Sequence, residues 1–506
     1  MGCLARAELD PSFPPFVLLR EKLGFVPNLF RDLTLLPRVL EAAAILLDAL
    51  LLKQSPLTRV QKETVLLALA AECRNSYCAT LHSQSLRLFG VSAERVDTLL
   101  TAQEGIRHPS GLPESDIVLL ETAVKFAGSG ALVGRDDVAG LPGRGLPAEE
   151  ALDLVLTAAL GNFLCTLSAG LATSPDFAPL RLPPASRASR RLSNRPDEPG
   201  AMHGPYLPLT TQAPESSAVL DFFRDNFGYL PNVFRAQAGR PDALNAEAAA
   251  FRGLLLPGGV LTRVQKEFIL LAVSAANAND YFVAAHGELL RTLGVPLDSS
   301  DQIAEDHRRS SLGDADKKLL DFAVSLAARP AGFNASGLDL LRQAGFRDEQ
   351  ILEAAAMAAF TSFLNTIQAG LGVVPDFTPR RALRLAAREN SPHPLAAESR
   401  HISEEPFADP DGELVEGAQK GDLKAFEELV RRHGRRVYRT LVGILGDPEE
   451  ARDAMQDTFL KAFQHLGRFE RRSKFSTWLV SIATTTGVQR LRDRKSIESL
   501  DASAES

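Results

Sequence analysis

Cysteine is scarce in this chain. Cys3, Cys73, Cys78 and Cys165 are the four cysteines among 506 residues, which excludes a disulfide framework and points to folding in a reducing compartment. A thiol here is either redox-active or simply buried. No run reaches the roughly 18 apolar residues of a membrane span. The opening Met1-Gly2-Cys3-Leu4-Ala5-Arg6 lacks an apolar stretch ahead of Cys3, and Arg6 stands where myristoylation needs Ser or Thr. A cytoplasmic protein without a membrane partner is therefore expected. The nine histidines are scattered without ligand spacing, so neither a metal nor another cofactor is expected. Nothing alternates with period two for long, which argues against strands.

What is present is ordinary in bulk: 45% apolar and 24% charged residues, as in soluble globular proteins, and enough length for two or three domains. The net charge of −7 argues against nucleic-acid binding by the whole chain, although a basic segment would be hidden in that sum.

The chain repeats itself. Leu57-Thr58-Arg59-Val60-Gln61-Lys62-Glu63 returns unchanged at Leu261 to Glu267, and Gly24-Phe25-Val26-Pro27-Asn28-Leu29-Phe30-Arg31 returns as Gly228-Tyr229-Leu230-Pro231-Asn232-Val233-Phe234-Arg235. Phe163-Leu164, Ala169-Gly170-Leu171 and Pro175-Asp176-Phe177 return 200 residues later. Units of this length are domains rather than solenoid repeats, so a tandem duplication is expected. Stretches such as Val65 to Ala71 and Ile351 to Phe360 are rich in Ala and Leu, which favours helices. The expected architecture is all-α: a first domain over 1–185, a linker over 186–205, a second domain over 206–386, a linker over 387–410, and a third domain over 411–498.

Cys78 and His82 are four apart, on one face of a helix, with Glu63 on the preceding helix. A carboxylate and an imidazole beside a thiol can relay its proton, and the thiolate is the form that attacks peroxides. This spacing resembles the alkylhydroperoxidase D and carboxymuconolactone decarboxylase superfamily, whose motif is a Glu followed by Cys-x-x-Cys-x-x-x-His. The Gly-Phe-x-Pro-Asn-x-Phe opening resembles its peroxidase-related branch. The resemblance implies that Cys78 is the peroxide-attacking thiol, that Glu63 and His82 relay its proton, and that the fold is helical and oligomeric, so the two units are expected to form an intramolecular pseudo-dimer or a larger oligomer.

The other family cysteine falls on Asn75, which removes the usual disulfide partner. Cys73 is the candidate resolving thiol, but five residues apart on one continuous helix would hold Cys73 and Cys78 too far apart to bond. A break near Asn75-Ser76 is the condition for that pair. In the second unit Glu267 and His286 keep their places while Asn279 and Phe282 take both cysteine positions. No thiol chemistry is possible there, and Glu267 with His286 is expected to be a structural hydrogen-bonded pair. Cys165 is expected in the core.

From Asp411 the texture changes to alternating charge on helical periods. Asp447 to Phe463 is strongly helical, with Pro448 in its first turn. Asp453, Gln456 and Asp457 share one face, and Phe459, Phe463 and Leu466 share another, an arrangement suited to docking a basic helix. Between Arg468 and Lys495 lie eight basic residues (Arg468, Arg471, Arg472, Lys474, Arg490, Arg492, Arg494, Lys495) against two acidic ones. Interleaved with Phe469, Phe475 and Trp478, they suit phosphate contacts and stacking on unpaired bases.

Asp453-x-x-Gln456-Asp457-Thr458-Phe459 and Phe475-x-Thr477-Trp478-Leu479-x-x-Ile482-Ala483 together resemble region 2 of the sigma-70 family, extracytoplasmic-function type. The resemblance implies that Asp453, Gln456, Asp457 and Phe459 meet the RNA polymerase core. It implies as well that Arg468, Arg471, Arg472, Lys474, Phe475, Trp478, Arg490 and Arg492 engage the melted −10 promoter strand. Thr484-Thr485-Thr486-Gly487 departs from the family pattern, and region 4 has no room before Ser506.

The leading expectation is a sigma-factor-like transcription protein whose peroxidase-like domains sense oxidants through Cys78. The alternatives are an alkylhydroperoxidase that turns over at Cys78 with a dithiol reductant, and a catalytically dead interaction scaffold.

Overall fold

The computed structural model describes most of residues 4–376 and 411–490. Outside the described residues lie 102–113, 128–134, 179, 181, 183–205, 207–216, 228, 257–258, 331–332, 334–335, 446, 470–474, 477, 481, 484–485 and 488–489. Cys3 and both expected linkers fall outside them. The described residues form helices and no strand, an all-α protein. Its contacts divide the chain into two units: Met1–Phe223, Leu230–Gly287 and Leu297–Leu383 make up the first, and Arg224–Tyr229, Glu288–Pro296 and Arg384–Ser506 the second.

In the first unit the helices that matter here are α1 (Pro37–Leu47), α2 (Arg59–Glu72), α3 (Ser76–Leu88), α4 (Ala148–Gly170), α5 (Pro241–Ala250), α6 (Arg263–Ala276), α7 (Asp280–Thr292, of which the part up to Gly287 belongs to this unit) and α8 (Asp348–Leu371). The series α1 to α4 and the series α5 to α8 run in the same order. The repeated heptapeptide explains how α2 and α6 start. Thr58 accepts a hydrogen bond from the Gln61 amide while Gln61 Oε1 accepts one from the Thr58 amide, and Thr262 and Gln265 do the same. This reciprocal cap satisfies two amides that a helix start leaves without partners. Leu57 and Leu261 are buried. Nothing in the structure explains why Val60, which is exposed, recurs as Val264.

The Lys of the heptapeptide goes inward. Lys62 Nζ donates to the Leu50 carbonyl at 2.8 Å and lies 3.7 Å from Asp153; Lys266 Nζ donates to the Leu254 carbonyl at 2.6 Å and lies 2.8 Å from Glu353. Asp153 also binds Arg240, the N-cap of α5, and Glu353 binds Arg38 at the start of α1. Each network thus takes its lysine and carboxylate from one repeat and its arginine from the other. Asp153 and Glu353 also accept the amides of Leu57 and Leu261 at 2.9 and 2.6 Å. Burial pushes both lysines below their ordinary range, against the raising effect of the carboxylates.

The carboxylates sit on α4 and α8, which pack along each other. Asn162 Nδ2 donates to Thr366 Oγ1 at 2.8 Å, and the rings of Phe163 and Phe363 meet edge to face at 6.4 Å. The approach requires glycine from both sides. A Cβ on Gly170 would lie 3.0 Å from that of Ala355, and one on Gly370 would lie 2.7 Å from Val155 Cγ2. α4 is long and apolar enough to cross a membrane, but 94% of its most apolar window is buried inside the protein, as expected of a core helix.

In the second unit α9 (Gly412–Gln419), α10 (Leu423–Leu445) and α11 (Pro448–His465) pack around Leu429, Val437, Leu441, Ala454, Phe459, Phe475 and Leu479. Asp447 caps α11 by accepting the amides of Glu449 and Glu450, and Pro448 occupies the first turn. Gln419 Nε2 donates to the Leu466 and Phe469 carbonyls at 2.9 and 3.0 Å and so ties the end of α11 to α9.

The two ion networks predict a specific stability pattern. Glu353→Ala strands the buried Lys266 and is expected to cost about 3 kcal/mol or more. Combining Glu353→Leu with Lys266→Met recovers most of that loss, because no lysine charge is then left in the interior. Urea unfolding midpoints of the three proteins check both statements.

Candidate functional site

The expected thiol site is assembled at a break between two helices. α2 ends at Glu72, Cys73 is its C-cap, and Arg74 takes a left-handed φ of 52° before Asn75 caps α3. The continuous helix that would separate Cys73 from Cys78 does not exist. The break, at Arg74, lies one residue before the Asn75-Ser76 position that was the condition for a Cys73–Cys78 pair. Asn75 makes it stable: its Oδ1 accepts the Cys78 amide at 2.9 Å, and its Nδ2 donates to the Cys165 carbonyl and to Ser168 Oγ at 2.8 and 2.9 Å. Asn75 thus binds α3 to α4.

Glu63, His82 and Cys78 are all buried. His82 Nδ1 and Glu63 Oε2 are 2.7 Å apart, and Arg59 reaches Glu63 Oε1 at 2.7 Å. Burial alone would raise the Glu63 carboxyl, but His82 and Arg59 together hold it below its ordinary value. Burial likewise opposes ionisation of Cys78. A hydrogen bond from Cys165, the charge of His82 and the Ser168 hydroxyl, 3.5 Å from the sulfur, outweigh it and lower the thiol. The site therefore carries the means to present Cys78 as a thiolate, with an imidazole held by a carboxylate beside it.

Several contributors were not singled out in the sequence. Arg59 and its counterpart Arg263 lie inside the repeated heptapeptide, and that repetition was the available signal. Tyr77 adjoins Cys78 and recurs as Tyr281. Its hydroxyl receives the Leu29 amide and donates to Asp176 at 2.9 Å, while Asp176 also accepts the Asn28 amide. This network joins the repeated Pro-Asn-x-Phe and Pro-Asp-Phe segments beside the site. Ser168 carries no sequence signal, since Gln368 stands at its counterpart. Cys165 is buried, as expected, but against Cys78 rather than in inert packing.

The second copy keeps the frame without the thiol. His286 Nδ1 lies 2.9 Å from Glu267 Oε2, Arg263 pairs with Glu267 at 2.7 Å, and Asn279 caps as Asn75 does, with its Oδ1 accepting the Phe282 amide at 3.0 Å. The Phe282 ring stacks on the His286 ring at 5.6 Å, and buried His286 Nε2 has no hydrogen-bond partner within the protein. An aromatic face stands at the position that Cys78 holds in the first repeat.

In the second unit Asp453 and Gln456 are exposed on α11, while Asp457 is half-buried and pairs with Arg490 at 2.6 Å. Two expectations need correction. Phe459 lies in the core at 8% exposure and Phe475 is fully buried, so neither ring offers a surface to a partner or a base. Hydrophobic burial took both. Phe463, grouped with the core face from sequence, is instead 43% exposed and leans edge-on against Phe426. Trp478 is half-buried against Phe469 and Phe475, with ring centroids 4.9 and 5.7 Å away. Arg471, Arg472, Lys474 and Arg492 lie outside the described residues, as does the side chain of Arg468.

The first site predicts a pH profile. The charge of His82 lowers the Cys78 thiol, so His82→Gln shifts the pH of half-maximal Cys78 alkylation upward and slows alkylation at pH 7. His286→Gln leaves that profile unchanged. Iodoacetamide labelling across pH, read by peptide mass spectrometry, checks the pair.

Comparison with known proteins assigns two segments. Residues 37–124 match the model of the carboxymuconolactone decarboxylase family, and residues 429–497 match that of sigma-70 region 2. The RNA polymerase sigma-H factor of Pseudomonas aeruginosa is 40% identical over 81 residues, 16% of this chain and 42% of that protein. The ECF RNA polymerase sigma factor SigW of Bacillus subtilis is 35% identical over 88 residues, 17% of this chain and 47% of that protein. The chain spans less than half the length of these curated relatives. Among solved structures, a peroxidase-related protein of Ralstonia eutropha described as an alkylhydroperoxidase core is 30% identical. That match covers 36% of this chain and 96% of the other, with a TM-score of 0.32. The chain thus carries a carboxymuconolactone decarboxylase family segment at residues 37–124 and a sigma-70 region 2 segment at residues 429–497.

Proposed function

We propose that this protein is a sigma-factor-like transcription protein in which region 2 binds core RNA polymerase and −10 promoter DNA, and in which a fused peroxidase-like part senses oxidants through Cys78. The observation that carries the reading is the region 2 match over residues 429–497, together with Asp453 and Gln456 standing exposed on the helix that would dock the polymerase. Asp453, Gln456 and Asp457 are the polymerase-facing group. Arg468, Arg471, Arg472, Lys474, Arg490 and Arg492, with the half-buried Trp478, are the promoter-facing group. Phe459 and Phe475 support these surfaces from the core.

The domains are a first alkylhydroperoxidase-like domain over 1–185, a linker over 186–205, a second such domain without its thiol over 206–386, a linker over 387–410, and region 2 over 411–498. The crossed ion networks support reading the first two as an intramolecular pseudo-dimer. A cytoplasmic address follows from the proposed partners.

A second reading, hydroperoxide reduction at Cys78 with a dithiol donor, is favoured by the intact Glu63 and His82 relay. It differs from the first in demanding turnover. Loss of both cysteine positions in the second copy, and of one in the first, weighs against efficient turnover.

Polymerase binding is the test. The purified full chain is expected to co-elute with core RNA polymerase. Asp453→Ala combined with Gln456→Ala is expected to weaken the complex at least about tenfold, or about 1.4 kcal/mol. Absence of any complex would overturn the reading. Peroxide consumption with a dithiol present, without a polymerase complex in either redox state, would favour the second reading instead.

A further inference from the structure

Two buried cysteines, Cys78 and Cys165, stand on turns joined by Asn75, and a third, Cys73, ends the preceding helix. Cys78 and Cys165 are buried and Cys73 is half-buried, and all three are free. Cys78 and Cys165 come together because Asn75 bonds to both sides of the site: it accepts the Cys78 amide and donates to the Cys165 carbonyl. Ser168 Oγ lies 3.3 Å from that same carbonyl and 3.5 Å from Cys78 Sγ. The Cys165 turn of α4 therefore sits directly against the first turn of α3. Cys73, half-buried, is the C-cap of α2 and directly precedes the left-handed Arg74.

We propose that Cys165 is the resolving thiol for Cys78, and that Cys73 is the exchange thiol that carries the resulting disulfide to an outside dithiol. The inference rests on reading Cys78 as the oxidant-reactive thiol. No cysteine of the Cys-x-x-Cys type is needed, because α4 supplies the partner from across the helix packing.

Each step balances. The Cys78 thiolate attacks a hydroperoxide, the O–O bond breaks, the alkoxide leaves and takes a proton as an alcohol, and Cys78 becomes a sulfenic acid. Cys165 sulfur then attacks Cys78 sulfur, the S–O bond breaks, and hydroxide leaves with the Cys165 proton as water. Cys73 attacks Cys165 sulfur, releases the Cys78 thiolate, and passes its proton to the site. A dithiol then attacks Cys73, closes to its own disulfide, and returns two protons to Cys73 and Cys165.

The electrostatics agree with this order. Hydrogen bonding to Cys73 and to Cys78, then burial, push Cys165 well above the ordinary thiol range, so it keeps its proton while Cys78 is a thiolate. Oxidation of Cys78 removes the charge that holds that proton. In the exchange step the charge of His82 and the Ser168 hydroxyl favour Cys78 as the leaving thiolate.

Peptide mapping of the full chain tests the proposal, and trypsin helps because Arg74 separates Cys73 from Cys78. After one equivalent of cumene hydroperoxide without reductant, the wild type is expected to yield a Cys73–Cys165 linked peptide. Cys73→Ser is expected to yield Cys78–Cys165. Cys165→Ser and Cys165→Ala are each expected to lose every Cys165-linked species and to accumulate dimedone-labelled Cys78. Cys73→Ser leaves the buried pair untouched, so its map decides the matter even if the Cys165 variants misfold. A Cys73–Cys78 disulfide in the wild type, or dimedone-labelled Cys78 in Cys73→Ser with no Cys165 link, would overturn the proposal while leaving Cys78 as the reactive thiol. If Cys78 takes up neither dimedone nor a partner in any variant, the underlying reading of Cys78 falls with it.

Discussion

The first unit depends on two buried carboxylates. Asp153 and Glu353 each compensate a lysine from their own repeat and an arginine from the other. A buried lysine without such a partner would cost several kcal/mol, and a carboxylate without its cations would cost as much. Neither repeat can close its own network, because each borrows the arginine. The same carboxylates accept the amides that begin the heptapeptide, so the position of α2 and α6 is set from α4 and α8. The thiol site inherits that frame: Glu63 comes from α2, Cys78 and His82 from α3, and Cys165 and Ser168 from α4.

Within that frame the two copies have diverged at the reacting atom. Both keep a carboxylate held between arginine and imidazole, and both keep an asparagine cap at the helix break. Only the first keeps sulfur, and there the lowering influences outweigh burial. In the second, Phe282 lies flat on His286 and closes the place where a thiol would stand. The second repeat thus holds the same buried pair and cap without a sulfur between them.

Part of this was legible in sequence because the letters repeat. The exact return of the heptapeptide marked a repeated unit, whereas its reciprocal cap and inward-turned lysine emerged only from the structure. The Glu63–His82 pair was readable from residue types and spacing. What was not legible depends on contacts between distant segments. Cys165 lies 87 positions after Cys78, and no local pattern marks it as facing that sulfur rather than the bulk core. The break at Arg74 was hidden because an arginine at positive φ has no strong signature. Phe459 and Phe475 were placed with binding surfaces because motif position does not report burial, and Phe463 was misplaced for the converse reason.

The proposed function joins a thiol read as the oxidant-reactive group to a segment that matches sigma-70 region 2. Such a link operates only if the oxidised and reduced states differ in their affinity for the partner, and the effect is reciprocal. The most direct measurement is the Kd of the full chain for core RNA polymerase, before and after one equivalent of hydroperoxide, beside Cys78→Ser. The account predicts a change of about fivefold or more in the wild type and none in Cys78→Ser. Equal affinities in the reduced and oxidised wild type would contradict it.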